Sequence, residues 1–263
     1  MPATDRFREA LDRGPILLDA AMGTRLIARG LDLAVEDPSS WVLNRPDVIL
    51  DIHRKDVDAG SDAILTNTFG ANRAWLARSG QADRAPEINR EAARIARIAA
   101  GPDRLVLGSI GPTADGDPDA LREQAETLIE GGVDALILET HHFDQARSAL
   151  KILVPESRIP VLASLYRWPD PIGNTAQVLA DQGASAIGAN CIPGMGPALL
   201  IARKLRAACD LPLMVKPSPG RSSPGSFVRA VPRLLALGIR LIGGCCGTDE
   251  SHVAALRSRI LSR

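Results

Sequence analysis

Two adjacent thiols, Cys245 and Cys246, close the apolar run L-I-G-G-C-C and lie within Gly-Gly-Cys-Cys-Gly-Thr at positions 243 to 248. A third, Cys191, closes G-A-N-C at 188 to 191. Each ends an apolar run among glycines, where close backbone approach matters more than core volume. Three thiolates and one vacant position are what a zinc ion needs to bind and activate a thiol substrate, because tetrahedral zinc takes sulfur readily and catalytic sites keep one place open. Two other readings compete. Cysteines are among the most buried residues and often only pack, and a vicinal pair can be redox-active, although its disulfide is strained and it lacks C-x-x-C spacing. Cys209, in the helical apolar pattern A-L-L-I-A-R-K-L-R-A-A-C, reads as core.

The charges exclude some partners. Thirty-one basic and 31 acidic residues cancel, which leaves no electrostatic case for nucleic acid or a membrane surface. The N-terminal M-P-A-T-D-R-F-R-E-A-L-D-R has charges throughout and no apolar h-region. No later stretch approaches the length of a membrane span, so a cytoplasmic protein is expected. Four cysteines in 263 residues suit a reducing compartment and a metal better than a disulfide scaffold.

Eight short aliphatic runs must position these thiols. They lie at 15 to 19, 62 to 68, 104 to 110, 134 to 139, 161 to 166, 185 to 191, 213 to 217 and 241 to 246. None alternates, as expected of strands buried on both faces. Helical patterns fall between them, at 46 to 59, 86 to 100, 144 to 151, 175 to 182, 197 to 208, 226 to 237 and 249 to 261, and another starts where Asp117 precedes Pro118 as a cap. Strand and helix alternating eight times predict a single-domain (β/α)8 TIM barrel over 1 to 263. The proline-rich segment at 216 to 225 reads as one βα loop.

Barrel sites sit at the C-terminal ends of the strands. The residues there are Asp19, Asn67, Ser109, Glu139, Tyr166, Cys191, Lys216 with Ser218, and Cys245 with Cys246. Asp19 and Glu139 are the carboxylates at these ends, and an acid ending A-L-I-L-E is costly unless paired. They are suited to an ammonium group; the alternative is that each caps a loop or helix.

The ordered motifs L-D-A-A-M-G-T (18 to 24), T-N-T-F (66 to 69), G-S-I-G-P-T (108 to 113), E-T-H-H-F-D (139 to 144), G-A-N-C and G-G-C-C-G-T resemble those of the homocysteine S-methyltransferase family over nearly the whole chain. The resemblance implies a zinc-dependent enzyme of methionine formation. Cys191, Cys245 and Cys246 would hold Zn2+, with the homocysteine sulfur as fourth ligand. Asp19 and Glu139 would receive the substrate ammonium, backbone amides around Ala20 and Ala21 its carboxylate, and Asn67 would face the substrate. Three features depart from the family: Ala20 stands where glycine is usual, Ser218 replaces the asparagine of P-N-A-G, and the segment after the fifth run is short.

Bound to zinc, the acceptor would be a thiolate able to attack an electrophilic methyl group in line. A sulfonium such as S-methylmethionine leaves neutral and needs no general base; betaine remains open. Methylated cations favour π-faces, which makes Phe69, Phe143, Tyr166, Trp168 and Trp41 candidates for a donor vestibule, or else rim packing. His141 and His142 read as bystanders, His53 and His252 as surface residues, and Lys216 either as a partner for the substrate carboxylate or as a solvated loop lysine. Three functional alternatives stand beside the main one. The acceptor could be another small thiol or selenol; the chain could be a homocysteine-binding subunit completed by a separate donor protein; or it could be a carrier barrel with a structural cysteine site.

Overall fold

The computed structural model describes residues 3–113 and 116–262. Eight strands form one sheet: β1 Ile16–Leu17, β2 Ala63–Leu65, β3 Leu105–Ile110, β4 Ala135–His141, β5 Val161–Leu165, β6 Ala186–Pro193, β7 Leu213–Ser218 and β8 Ile239–Ile242. All pairings are parallel, and the order β1-β8-β7-β6-β5-β4-β3-β2 carries the sheet around a barrel. A helix or helices follow each strand, so the expected (β/α)8 TIM barrel is what the chain forms.

The lack of alternation in the sequence has a simple cause: both faces of each strand are apolar because each meets a different core. Ile16, Leu65, Leu107, Ile137, Leu162, Met214 and Leu241 pack together inside the barrel, and Phe7 of the helix Ala3–Arg13 joins them. Their neighbours Leu17, Ile64, Val106, Leu136, Ala163, Ile187, Val215 and Ile242 pack against the helices. A shift of one residue would exchange the two sets.

Closure between β1 and β2 relies on carboxylates. Asp62 Oδ2 accepts from the Leu17 amide (2.8 Å), the Asp62 amide donates to the Leu17 carbonyl (2.7 Å), and Asp19 Oδ2 accepts from the Leu65 amide (2.7 Å). Asp19 therefore serves the wall of the barrel with one oxygen.

The capping expectation at Asp117 holds: its side chain accepts from the Asp119 and Ala120 amides at the start of Pro118–Glu130. Three boundaries differ from the sequence reading. Residues 216 to 218 belong to β7, and Pro224–Phe227 is already helical, so the loop read as 216 to 225 is shorter. The pattern at 226 to 237 is broken into Pro224–Phe227, a 3-10 turn at Val228–Ala230 and Val231–Ala236. Cys209 lies beyond the helix Met195–Arg206 rather than within it, half-buried against the core.

Candidate functional site

The three cysteines meet. Sγ of Cys191 lies 2.9 Å from that of Cys245 and 3.9 Å from that of Cys246, and the vicinal pair is 4.0 Å apart. Tetrahedral zinc with Zn–S of about 2.3 Å spaces its sulfurs about 3.8 Å apart; two edges match and the third is compressed. All four cysteines are free thiols. The trio is the group of His, Cys, Asp or Glu side chains, among the described residues, that is arranged to hold a metal ion. Hydrogen bonds from Cys191 and Cys245 push the Cys246 thiol down to about 3, against its burial. Bonds to Cys245 and Cys246 raise Cys191 far above the ordinary thiol value. A soft divalent cation fits that three-sulfur donor set.

Two β-bulges aim the site. The β4–β5 register slips between Glu139 and His141, and the β6–β7 register between Asn190 and Ile192. The residues between, Thr140 (φ 62°) and Cys191 (φ 54°), are the non-glycine residues with left-handed backbone among those described, a conformation that costs free energy and collects at functional sites. Asn190 locks the bulges together. Its Nδ2 donates to Thr140 Oγ1 (2.6 Å), and its Oδ1 accepts from the Thr140 amide (3.1 Å) and Ser164 Oγ (2.8 Å). Asn190, Thr140 and Ser164 escaped the sequence reading; only the polar residue in a buried apolar run, N in G-A-N-C, hinted at them.

The cysteines line a cavity of about 370 Å³ at the barrel mouth. Asp19, Ala20, Ala21, Asn67 and Glu139 line it too, so the candidate zinc ligands and the candidate acceptor contacts reach one space. Lys216 is among its walls. It is buried and ion-paired with Glu139 Oε1, whose Oε2 accepts from Ser109 Oγ (2.9 Å); the solvated-lysine reading is wrong. Burial would lower the Lys216 pKa, but Glu139, Asp19 and Cys245 outweigh it and raise the value. Burial raises Asp19 to about 7, with Asp56 adding to the rise and Lys216, the Leu65 amide and Arg25 opposing it. Asp19 Oδ1 is buried without a hydrogen-bond partner.

The turn at Ala20 and Ala21 is already tied down. The Ala21 amide donates to Thr248 Oγ1 (3.1 Å), which donates to the Cys245 carbonyl (2.7 Å). The Ala21 amide is therefore in use, and the next in line, Met22 and Gly23 at the start of a short helix, border the same cavity. Ala20 has no positive φ, so alanine in place of glycine carries no backbone penalty there, and its methyl packs with the main core. Asn67 Nδ2 donates to the Pro38 carbonyl (2.8 Å), tying the first long loop to β2.

Beneath this turn Arg25 makes a bidentate bond to Asp56 (2.9 and 2.5 Å), while its Nε donates to the Ala21 carbonyl (2.9 Å). His53 is fully buried beside them with neither ring nitrogen bonded; burial, and then the Arg25 charge, lower it to about 3, so it is neutral. His252 is buried as well, in a reciprocal cap with Asp249. Neither is the surface residue expected. His141 packs its Nδ1 on the Glu139 carbonyl (3.0 Å) and faces a separate cavity, consistent with a bystander.

Of the five aromatic candidates, Phe69 alone lines the cysteine cavity. Trp41 is buried in a helical core, and Trp168 Nε1 donates to the Gly188 carbonyl (3.1 Å). Tyr166 stands exposed, edge-on to His142, and Phe143 packs against the core. Ser218 does not reach the cavity wall.

The family model for homocysteine S-methyltransferase matches residues 16–260. This chain belongs to that family. It is 31% identical to a methionine synthase of Mycobacterium tuberculosis over 96% of its length, but spans about a quarter (25%) of that relative. It is 29% identical to the homocysteine S-methyltransferase of Escherichia coli, covering 98% of this chain and 100% of the other. The crystal structure of the E. coli homocysteine methyltransferase MmuM in metallated form superposes with a TM-score of 0.83 at 27% identity, covering 97% of this chain and 99% of that one. Among the described residues, no helix is long and apolar enough to cross a membrane.

Proposed function

We propose that the protein is a zinc-dependent S-methyltransferase that moves a methyl group onto the sulfur of homocysteine, giving methionine, from a cationic donor of the sulfonium class. The observation that carries this reading is the convergence of Cys191, Cys245 and Cys246, all Sγ atoms within 4.8 Å, on a cavity that also holds Asp19 and Glu139. The three cysteines are the zinc ligands; zinc held there supplies the positive charge that keeps an acceptor sulfur deprotonated at neutral pH. Asp19 receives the acceptor's ammonium on its free oxygen. Glu139, fixed by Lys216 and Ser109, keeps the surrounding charge negative, and Asn67 holds the Pro38 segment that borders the cavity. These residues orient the acceptor and exclude water, so the methyl group meets the sulfur in line. A sulfonium donor departs neutral, and Phe69 offers its approaching charge a π-face.

A second reading draws on the resemblance to a methionine synthase, of which the matched region is about a quarter (25%): a homocysteine-binding barrel to which another protein unit presents the methyl group. The deciding experiment incubates zinc-loaded protein with homocysteine and S-methylmethionine, betaine or a methylfolate, and measures methionine by mass spectrometry. Methionine from the sulfonium supports the first reading. Homocysteine bound but never methylated by any free donor supports the second.

A further inference from the structure

We propose that Lys216 reads the acceptor's α-carboxylate, so that the buried Lys216–Glu139 pair opens to admit a zwitterionic amino-acid thiol or selenol and disfavours thiols that lack that carboxylate. The proposal rests on the methyl-transfer reading and names the acceptor class of the same cavity.

Three observations carry it. Lys216 is 4% exposed and lines the cavity, yet among the described residues its ammonium has one hydrogen-bond partner, Glu139. An ammonium has three donors, so two have no protein acceptor. Asp19, 3% exposed, keeps Oδ1 unbonded in the same cavity. The Ala21 amide, otherwise a natural carboxylate donor, is taken by Thr248.

A half-satisfied cation and a carboxyl group with one unbonded oxygen thus face one small space, where each unmade bond is costly. A ligand whose positive and negative groups sit on one carbon completes both. Its carboxylate goes to Lys216 and its ammonium to Asp19 with Glu139, and no net charge is added to the site. A thiol with only an amine leaves Lys216 unsatisfied; one with only a carboxylate leaves Asp19 so.

The test is calorimetric titration of zinc-loaded protein, without donor, using homocysteine, 4-mercaptobutyrate and 3-mercaptopropylamine. In the wild type homocysteine binds tightest of the three. Lys216→Met weakens homocysteine and 4-mercaptobutyrate by about tenfold to a hundredfold and leaves 3-mercaptopropylamine within about twofold; Lys216→Arg restores part of the loss. Should Lys216→Met fold poorly, the double variant Lys216→Met with Glu139→Gln, which strands no charge, is compared with Glu139→Gln alone and shows the same selective loss for the carboxylate. Equal weakening of all three thiols, or of none, overturns the assignment while leaving methyl transfer intact. A wild type that binds no thiol at all overturns both.

Discussion

Replacing Arg25 by methionine isolates the device that holds the acceptor turn. The side chain is 7% exposed and its partner Asp56 0%, so the pair is screened from water. The substitution deletes both bonds to Asp56 and the Nε bond to the Ala21 carbonyl, leaving a buried carboxylate without its counter-charge. Breaking one half of such a pair costs about 3–5 kcal/mol. For a chain of this size each kcal/mol moves the Tm by about 2 °C, so Tm falls by about 6–10 °C. The sign with pH follows from Asp56, whose folded pKa is already raised by burial despite Arg25. A raised carboxyl penalises folding once the unfolded chain ionises, so the deficit of the variant is greater at pH 8 than at pH 5. Scanning calorimetry at both pH values reads this directly, and the double variant Arg25→Met with Asp56→Leu recovers most of the loss. A single variant within about 1 °C of wild type at pH 8 would refute the clamp.

Other outcomes follow from the same geometry. Cys191→Ala abolishes zinc binding measured by elemental analysis, whereas Cys209→Ser keeps full stoichiometry. Asp19, raised from 3.8 to about 7 by burial, keeps its proton in the folded chain across that window while the unfolded chain loses its own. Stability therefore declines as pH rises from about 4 to 7 by on the order of a few kcal/mol, and Asp19→Asn flattens that slope in urea titrations while weakening homocysteine. Phe69→Ala raises the donor KM by about tenfold with zinc content intact, and Trp168→Ala, whose indole is held by the Gly188 carbonyl, leaves that constant unchanged.

The barrel was legible because burial on both faces leaves an unbroken apolar run, and eight such runs have few other solutions. The thiols were legible because glycine-flanked cysteines at strand ends have little packing value. What escaped depends on contacts between distant strands. Nothing near position 190 announces that Asn190 bonds Thr140, 50 residues earlier, and pins two bulges at once. Lys216 in K-P-S-P-G carries the marks of a solvated loop, and only the neighbouring Glu139 makes its burial tolerable. His53 sits on a helix face whose burial beside Arg25 is a long-range contact, and of the aromatic residues at strand ends Phe69 borders the mouth whereas Phe143 and Trp168 pack against the core. The bond from the Ala21 amide to Thr248, 227 residues later, was hidden for the same reason.

X-ray absorption at the zinc edge tests the central claim most directly. With the zinc-loaded protein alone, three sulfurs at about 2.3 Å and one lighter atom are expected; adding homocysteine converts this to four sulfurs, and the change is lost in Cys246→Ser. A sulfur count that stays at three when homocysteine binds, or a zinc ion held elsewhere than by Cys191, Cys245 and Cys246, would contradict the account.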